Sequence, residues 1–297
     1  MSVPQASVLC VGFFSDGPFP AHSGHRNGSP GVQDNMPARH LLLRACSTAV
    51  FVLLLGPSAF AQDALDLFHK MQQALGGADR IAAIKDFEED GRGDAWTVTG
   101  RLMGEVRKRT RWIAPNLLRL DQAGPGDTYV LYFDGTAGWE ILPERGTSRT
   151  TGVVIALEGD ELAFAQRYLS GFMVDSWRGL WLADRIPGYT ITSPAPNVVR
   201  ISRDGRATDI TLDPVTRLPV KQAVALPADP NRLPLDGNYF SEWELVEGVR
   251  FPTKRTTFRN GIKILDAKEI KTRINIGLRD EDLAAKPADF SPVLPDQ

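Results

Sequence analysis

The chain from Lys85 onward is dominated by short segments in which apolar and polar residues alternate. Alternation with a period of two predicts β-strands that are buried on one side. The predicted strands are Phe87 to Arg92, Trp96 to Arg107, Thr110 to Ile113, Leu117 to Asp121, Thr128 to Phe133, Gly138 to Leu142, Val198 to Arg203, Thr208 to Leu212, Val220 to Leu226, Tyr239 to Val246, Val249 to Phe258 and Lys263 to Ile276. Asp204-Gly205 and Asn260-Gly261 predict tight hairpins, because both central residues of such turns need positive φ. Strands joined in this way form an antiparallel meander.

A helical period precedes the first strand. Apolar residues recur at every third or fourth position, at Leu65, Phe68, Met71 and Leu75. They predict an amphipathic helix that starts with Asp63 as its cap and ends at Gly76-Gly77. A short helical turn follows, with Asp79 as its predicted cap and with Ile81 and Ile84 on one side.

A second helical region separates the two runs of strands and contains the aromatic stretch "SGFMVDSWRGLWL". Asp160 to Leu169 predicts one helix, Gly171 interrupts it, and a second helix runs to about Ala183 before Ile186-Pro187-Gly188. We call Asp160 to Ala183 the insert. The residues on one apolar face of its second helix are Met173, Trp177, Leu180 and Trp181, and Asp175 and Arg178 are predicted to point away from this face. The insert could be a fixed plug, since apolar helical stripes usually serve the core, or a movable lid.

About ten strands that each have one apolar side must curl around a common interior. A closed or partly open barrel is the simplest arrangement. The predicted fold class is therefore mainly β (α+β): an antiparallel, incompletely closed β-barrel, with the N-terminal helix and the insert covering its concave face.

The first sixty residues have the pattern of a targeting segment. Residues 1–35 are rich in Gly, Ser, Pro and His without hydrophobic periodicity, and predict an upstream extension without structure. Residues 36–61 contain a basic region, a twelve-residue apolar run and the small-x-small site Ala59-Phe60-Ala61, which together predict a secretory signal peptide. The apolar run is shorter than the roughly twenty residues that a membrane-spanning helix needs. Residues 62–297 are predicted to form one exported domain.

Composition removes several classes of function. The net charge is −2, so no basic excess points to nucleic acid. Both cysteines, Cys10 and Cys46, precede the predicted cleavage site, and His69 is the one histidine after it. A Ser-His-Asp triad, a zinc site built on histidine or cysteine and a disulfide are therefore not expected. The predictions are no catalytic residue, no metal and no cofactor.

Two charged groups keep alternative readings open. Glu242 and Glu244 lie on one face of a predicted strand about 7 Å apart, a spacing that paired glycosidase acids also use. A water-facing strand surface is the simpler interpretation. Arg107, Lys108, Arg109 and Arg111 could contact anionic lipid head groups or an acidic partner. A solvated outer face is again the simpler interpretation.

Four stretches together resemble a known family: "MQQALGGADRIAAIKDF" (Met71 to Phe87), "LYFDGTAGWEI" (Leu131 to Ile141), "LDPVTRLPVKQAV" (Leu212 to Val224) and "GVRFPTKRTTFRNG" (Gly248 to Gly261). They are similar to the secreted bacterial proteins related to the outer-membrane lipoprotein-sorting family, the LolA-like group. The resemblance implies an incomplete antiparallel barrel with an apolar interior for lipoprotein acyl chains or similar lipids. It also implies a non-enzymatic carrier in the periplasm, with lipid, a lipoprotein anchor and an envelope or membrane protein as partners.

The predicted ligand-binding residues follow from the insert and from the aromatic residues of the strands. Met173, Trp177, Leu180 and Trp181 are predicted to form the lid, and Tyr132, Trp139 and Trp243 the pocket wall. A periplasmic sensing or protein-interaction module on the same fold is the alternative, and a carboxylate-dependent enzyme acting on glycans is a further one.

Overall fold

The computed structural model describes residues 58–124, 128–143, 152–164, 177–203, 205–225 and 237–286. Within these ranges, thirteen antiparallel strands form one sheet in the order β6-β5-β4-β3-β2-β1-β13-β12-β11-β10-β9-β8-β7. The strands are β1 Asp86–Trp96, β2 Leu102–Ile113, β3 Leu117–Ala123, β4 Thr128–Phe133, β5 Gly138–Pro143, β6 Gly152–Ala156, β7 Thr190–Ala195, β8 Val198–Arg203, β9 Arg206–Leu212, β10 Pro219–Ala225, β11 Gly237–Val246, β12 Val249–Arg259 and β13 Ile262–Ile274.

The sheet is two meanders joined where β1 pairs with β13, and its edge strands are β6 and β7. These two edges are not paired with each other, so the sheet is not closed into a barrel. The predicted antiparallel, incompletely closed arrangement is confirmed. The sequence missed both edge strands, and it divided β2 into two shorter strands.

One long helix and four short ones accompany the sheet in the described ranges. They are α1 Ser58–Leu75, α2 Ala78–Ala82, α3 Gly159–Phe164, α4 Trp177–Trp181 and α5 Asp280–Ala284, with a 3-10 turn at Ala183–Arg185. No helix in the described ranges is long and apolar enough to cross a membrane. The predicted apolar leader segment lies outside those ranges, and the predicted cleavage site falls in the first turn of α1.

The helix ends correct two predictions. Because α1 begins at Ser58, Asp63 lies inside the helix and does not cap it. The cap of α2 is Gly77, with φ 97°, and not Asp79, whose carboxylate pairs with Arg185 at 2.8 Å. The predicted end of α1 at Gly76-Gly77 is confirmed by their positive φ angles and by the 2.8 Å hydrogen bond from the Gly77 N–H to the Gln72 carbonyl.

The main core lies between the sheet and α1. We call the sheet face that α1 covers the inner face. Buried side chains of this face include Phe87, Trp112, Leu118 and Leu131, and α1 adds Phe68, Met71 and Leu75. Strand alternation gives every second residue to this face. Alternation therefore places these strand residues on one side of the sheet, and α1 packs on that side.

The outer face carries buried ion pairs. Asp121 is fully buried, and its Oδ2 lies 2.7 Å from Arg111 Nη2 and 2.9 Å from Arg119 Nε. Arg119 Nη1 donates to the carbonyls of Leu283 and Ala285, which ties α5 and the residue after it to β3. The C-terminal segment thus covers a charged part of the outer face.

Gly93 marks a point where β1 and β13 come too close for a side chain. A Cβ there would lie 2.0 Å from the Asp266 carbonyl oxygen, beside the register shift between Arg92 and Gly93. Gly91, two residues earlier on the same strand, has no atom nearer than the Lys108 carbonyl oxygen at 3.9 Å. We expect Gly93→Ala to lower the free energy of unfolding by about 1–3 kcal/mol, because the backbone must shift.

The matched control for this prediction is Gly91→Ala, which we expect to change stability by less than about 1 kcal/mol. Urea denaturation followed by circular dichroism gives both values. Equal effects of the two substitutions would contradict the close approach at Gly93.

Candidate ligand-binding face beneath the insert

The described part of the insert places two predicted lid residues in the core. Leu180 is 2% exposed and Trp181 is 3% exposed, and both belong to the main core beside α1. The Trp181 ring lies 6.5 Å from the Trp243 ring and 6.2 Å from the Phe251 ring, between centroids. The structure therefore brings Trp181 and the predicted wall residue Trp243 together on the inner face.

Few polar contacts hold this part of the insert to the helices. Gln72 Nε2, on α1, donates to the Trp181 carbonyl at 2.9 Å and to Asp184 Oδ1 at 2.8 Å. Gln72 is itself buried. Because α4 has five residues, its conformation depends on packing and on these contacts more than on its own hydrogen bonds.

Arg178, also on α4, is the half-buried cation of this region. Its Nη2 donates to the Ala82 carbonyl at 2.9 Å, and its guanidinium carbon lies 5.6 Å from the centroid of the Trp112 ring. Its Nε is buried and has no hydrogen-bond partner among the described residues. Burial lowers the pKa of Arg178, since the charged form loses hydration.

Two of the predicted residues cannot be placed in this cluster. Met173 lies outside the described residues. Trp177 is the first residue of α4, and its side chain is not among those that the structure describes. The proposal that these two residues contact a ligand therefore keeps its sequence basis alone.

Tyr132 and Trp139 lie on the outer face, not beside Trp181. They stack at 5.7 Å between ring centroids and form a separate cluster with Val130 and Ile141. The physical reason is alternation, because Leu131 is the β4 neighbour that joins the core of the inner face. Tyr132 and Trp139 are thus separated by the sheet from the pocket wall to which the sequence assigned them.

The surroundings of these two aromatic residues are polar and charged. The Arg119 guanidinium lies 5.7 Å from the Trp139 ring centroid, and Lys286 Nζ lies 5.9 Å from it. Burial, followed by the negative charges of Asp134 and Asp280, raises the pKa of Tyr132. Such contacts attach the C-terminal segment to the outer face.

Alternation also fails within β11. Glu242 has φ 55°, a left-handed value that turns the strand locally. Phe240 and Trp243, which strict alternation predicts on opposite faces, have ring centroids 6.2 Å apart. This distortion adds Phe240 to the aromatic group of Trp181, Trp243 and Phe251.

Besides Phe240, sequence reasoning missed Phe251, Gln72 and Arg178 at this site. Phe251 follows the alternation of a predicted strand, which could have identified it as a wall residue. Gln72 and Arg178 had no such signal, since polar residues on short helices usually face water. Arg178 was predicted to point away from the apolar face, and it instead lies over Trp112.

The structure shows where the charged residues lie that suggested an enzyme or an anion-binding surface. Glu242 is exposed and pairs with Lys254 at 2.5 Å. Arg109 lies 2.8 Å from Asp90 Oδ1, and it and Arg111 form ion pairs in place of the predicted solvated arginine face. Lys108 is buried on the opposite side of the strand. Within the described ranges, no group of three histidine, cysteine or acidic residues could hold a metal ion.

An open cleft of about 600 Å³ lies on the solvent side of α1. Its lining residues are Asp66, His69, Lys70, Gln73, Ala74, Thr216 and Arg217. The cleft is largely open to solvent, so it would leave much of a bound hydrocarbon chain exposed to water. It is also separate from the aromatic group beneath the insert.

Solved structures with a similar fold include a DUF1329 family protein from Desulfovibrio piger, at 13% identity and a TM-score of 0.46. Another is a putative outer membrane lipoprotein-sorting protein domain from Vibrio parahaemolyticus, at 11% identity and a TM-score of 0.42. A third is a LolA superfamily protein from Nitrosomonas europaea, at 10% identity and a TM-score of 0.44. Each match covers 75% of this chain and 97% of the other. No protein-family model matches the sequence, and no curated protein matches it. Likenesses of this degree do not bear on what the chain binds.

Proposed function

We propose that residues 62–297 form one exported domain that binds the hydrocarbon chain of a lipid or lipoprotein between the inner face and the insert. The observation that carries the proposal is which element supplies the side chains that fill this space. Leu180 and Trp181 come from the five-residue helix α4 and not from the sheet. They can therefore leave the inner face without breaking any strand pairing.

In this proposal α4 occupies the binding face while the ligand is absent. The face beneath Trp181 is formed by Trp243 and Phe251, and Phe240 borders it. Aromatic side chains supply large apolar contact areas for a ligand chain. Displacement of α4 requires the loss of the two Gln72 hydrogen bonds and of the contact between Arg178 and Ala82.

The free energies of burial favour displacement of α4 by long hydrocarbon chains. Exposing Leu180 and Trp181 costs about 3 kcal/mol each, or about 6 kcal/mol together. Burying one methylene contributes about 0.8 kcal/mol, so about eight methylenes offset that cost. A fourteen-carbon chain would contribute roughly 11 kcal/mol, which leaves a surplus for binding.

We therefore expect a chain-length threshold in binding. Neutral alcohols shorter than about eight carbons should not bind measurably, and affinity should then rise by about 0.8 kcal/mol for each added methylene. Intrinsic tryptophan fluorescence and calorimetry with octanol, decanol, dodecanol and tetradecanol measure this series. An affinity independent of chain length would contradict the proposal.

The natural ligand requires a different experiment. Native mass spectrometry of protein purified gently from the envelope of its host should detect a bound acyl lipid. A protein without lipid that retains a tight protein partner would instead favour the interaction module. Delivery of lipoproteins to a membrane receptor and a periplasmic location are parts of the same proposal, and cell fractionation tests the location.

A further inference from the structure

Arg178 is half-buried, and within the described residues it differs from the buried arginines Arg111, Arg119 and Arg200 in having no carboxylate counterion. Arg119 and Arg111 share Asp121, and Arg200 Nε lies 2.6 Å from Asp209 Oδ1. In the part of the chain that the structure describes, no carboxylate lies within ion-pair distance of the Arg178 guanidinium. Its contacts there are the Ala82 carbonyl and the Trp112 ring.

Such an environment leaves the guanidinium incompletely satisfied. A cation that is partly removed from water costs free energy unless it is paired, and within the described ranges the buried Arg178 Nε donates to no acceptor. The Trp112 ring offsets part of this cost through a cation–π contact. The planar fork of a guanidinium matches the two oxygens of a carboxylate or phosphate.

The guanidinium of Arg178 lies close to the proposed chain-binding face. Residues three apart on a helix have Cβ atoms about 5–6 Å from each other, so Arg178 and Trp181 are neighbours on α4. An anionic group at Arg178 would thus lie beside the aromatic group of Trp181, Trp243 and Phe251. A molecule with one anionic end and one hydrocarbon chain could reach both.

We propose that Arg178 binds the carboxylate or phosphate head group of an anionic amphiphile whose chain lies on the inner face. This inference rests on the proposed function and narrows its ligand class from lipids in general to single-headed anionic ones. Arg178 then holds the head group at the edge of the face that Leu180 and Trp181 vacate for the chain. Arg178 is a binding residue in this proposal.

The test compares tetradecanoate with tetradecanol, which share a chain length and differ in charge. At neutral pH we expect the protein to bind tetradecanoate at least about tenfold more tightly, as charge-assisted hydrogen bonds would provide. Arg178→Met should abolish this preference, so that the variant binds the two probes with equal affinity. Equal affinities of the unmodified protein for the two probes, or a preference that survives in Arg178→Met, would overturn the proposal.

Two further variants separate recognition from folding and from general charge. Arg178→Lys keeps the charge without the fork and should show an intermediate preference, which decides the question if Arg178→Met does not fold. Arg185→Gln removes an exposed cation near α4, which pairs with Asp79, and should keep the full preference. A loss in Arg185→Gln as large as in Arg178→Met would indicate a diffuse potential and overturn the assignment.

Failure of the proposed function can be distinguished from failure of this inference. If neither tetradecyl compound binds, the chain-binding proposal fails. Acetate and inorganic phosphate then test Arg178 by thermal unfolding. A higher Tm with either anion in the unmodified protein but not in Arg178→Met supports an anion site without a chain. The same Tm response in both proteins overturns the site.

Discussion

Replacing Asp121 by asparagine is expected to lower the free energy of unfolding by about 3–5 kcal/mol. The carboxylate is fully buried and accepts hydrogen bonds from Arg111 Nη2 at 2.7 Å and from Arg119 Nε and Nη2 at 2.9 and 3.0 Å. An amide of the same shape leaves two buried guanidinium groups without that negative charge. The loss is large because an uncompensated buried charge costs far more than a pair on the surface gains.

The effect should extend to the C-terminal segment. Arg119 also donates to the Leu283 and Ala285 carbonyls, so its orientation by Asp121 positions α5. Urea denaturation gives the stability change, and limited proteolysis of the segment after β13 should become faster. Glu105→Gln is the matched control, because the ion pair of Glu105 with Arg92 is exposed and worth about 0–1 kcal/mol. An Asp121→Asn loss no larger than this control would contradict the role of the buried network.

Trp181→Ala is expected to cost about 3–5 kcal/mol of stability. Trp181 is 3% exposed and contacts the rings of Trp243 and Phe251, so its removal leaves a cavity in the main core. Thermal and urea unfolding measure the loss. Leu245→Ala is the control, because Leu245 is 58% exposed and its truncation should change stability by less than about 0.5 kcal/mol.

The same variant also tests the proposed exchange between insert and ligand. If a hydrocarbon chain replaces Trp181 on the inner face, saturating tetradecanol should recover part of the lost stability, since it fills the cavity and binds the folded state. Recovery in Trp181→Ala without any effect in the Leu245→Ala control supports the exchange. A cavity that tetradecanol does not fill would leave Trp181 with a purely structural role.

Local sequence signals determined much of the sheet. The bounds of Thr128–Phe133 and Val198–Arg203 match the structure, because alternation and turn residues delimit both strands clearly. Asn260 and Gly261 have φ 50° and 73°, as the predicted tight hairpin requires. Strand β7 was missed because it contains Pro194 and only Ile191 and Ala195 are partly buried, so alternation gave a weak signal.

The residues of the candidate site were harder to predict from the sequence than the strands. Tyr132 and Trp139 are as aromatic as Trp243, and alternation shows that Tyr132 and Leu131 face opposite sides without showing which side is inner. Position in the assembled sheet decides this, through the helix that covers one face. The left-handed residue Glu242 changed the outcome again for Phe240 and Trp243.

The sequence by itself determined most of the strands, the hairpin at Asn260-Gly261 and the α1 period, because each depends on residues close along the chain. Only the tertiary structure decided which face is inner, where Trp181 lies, and that Arg178 has no carboxylate partner among the described residues. Those features arise from contacts between segments distant in sequence, such as Gln72 with Trp181 and Arg178 with Trp112. A local pattern records what a residue prefers, and the fold determines which neighbours it meets.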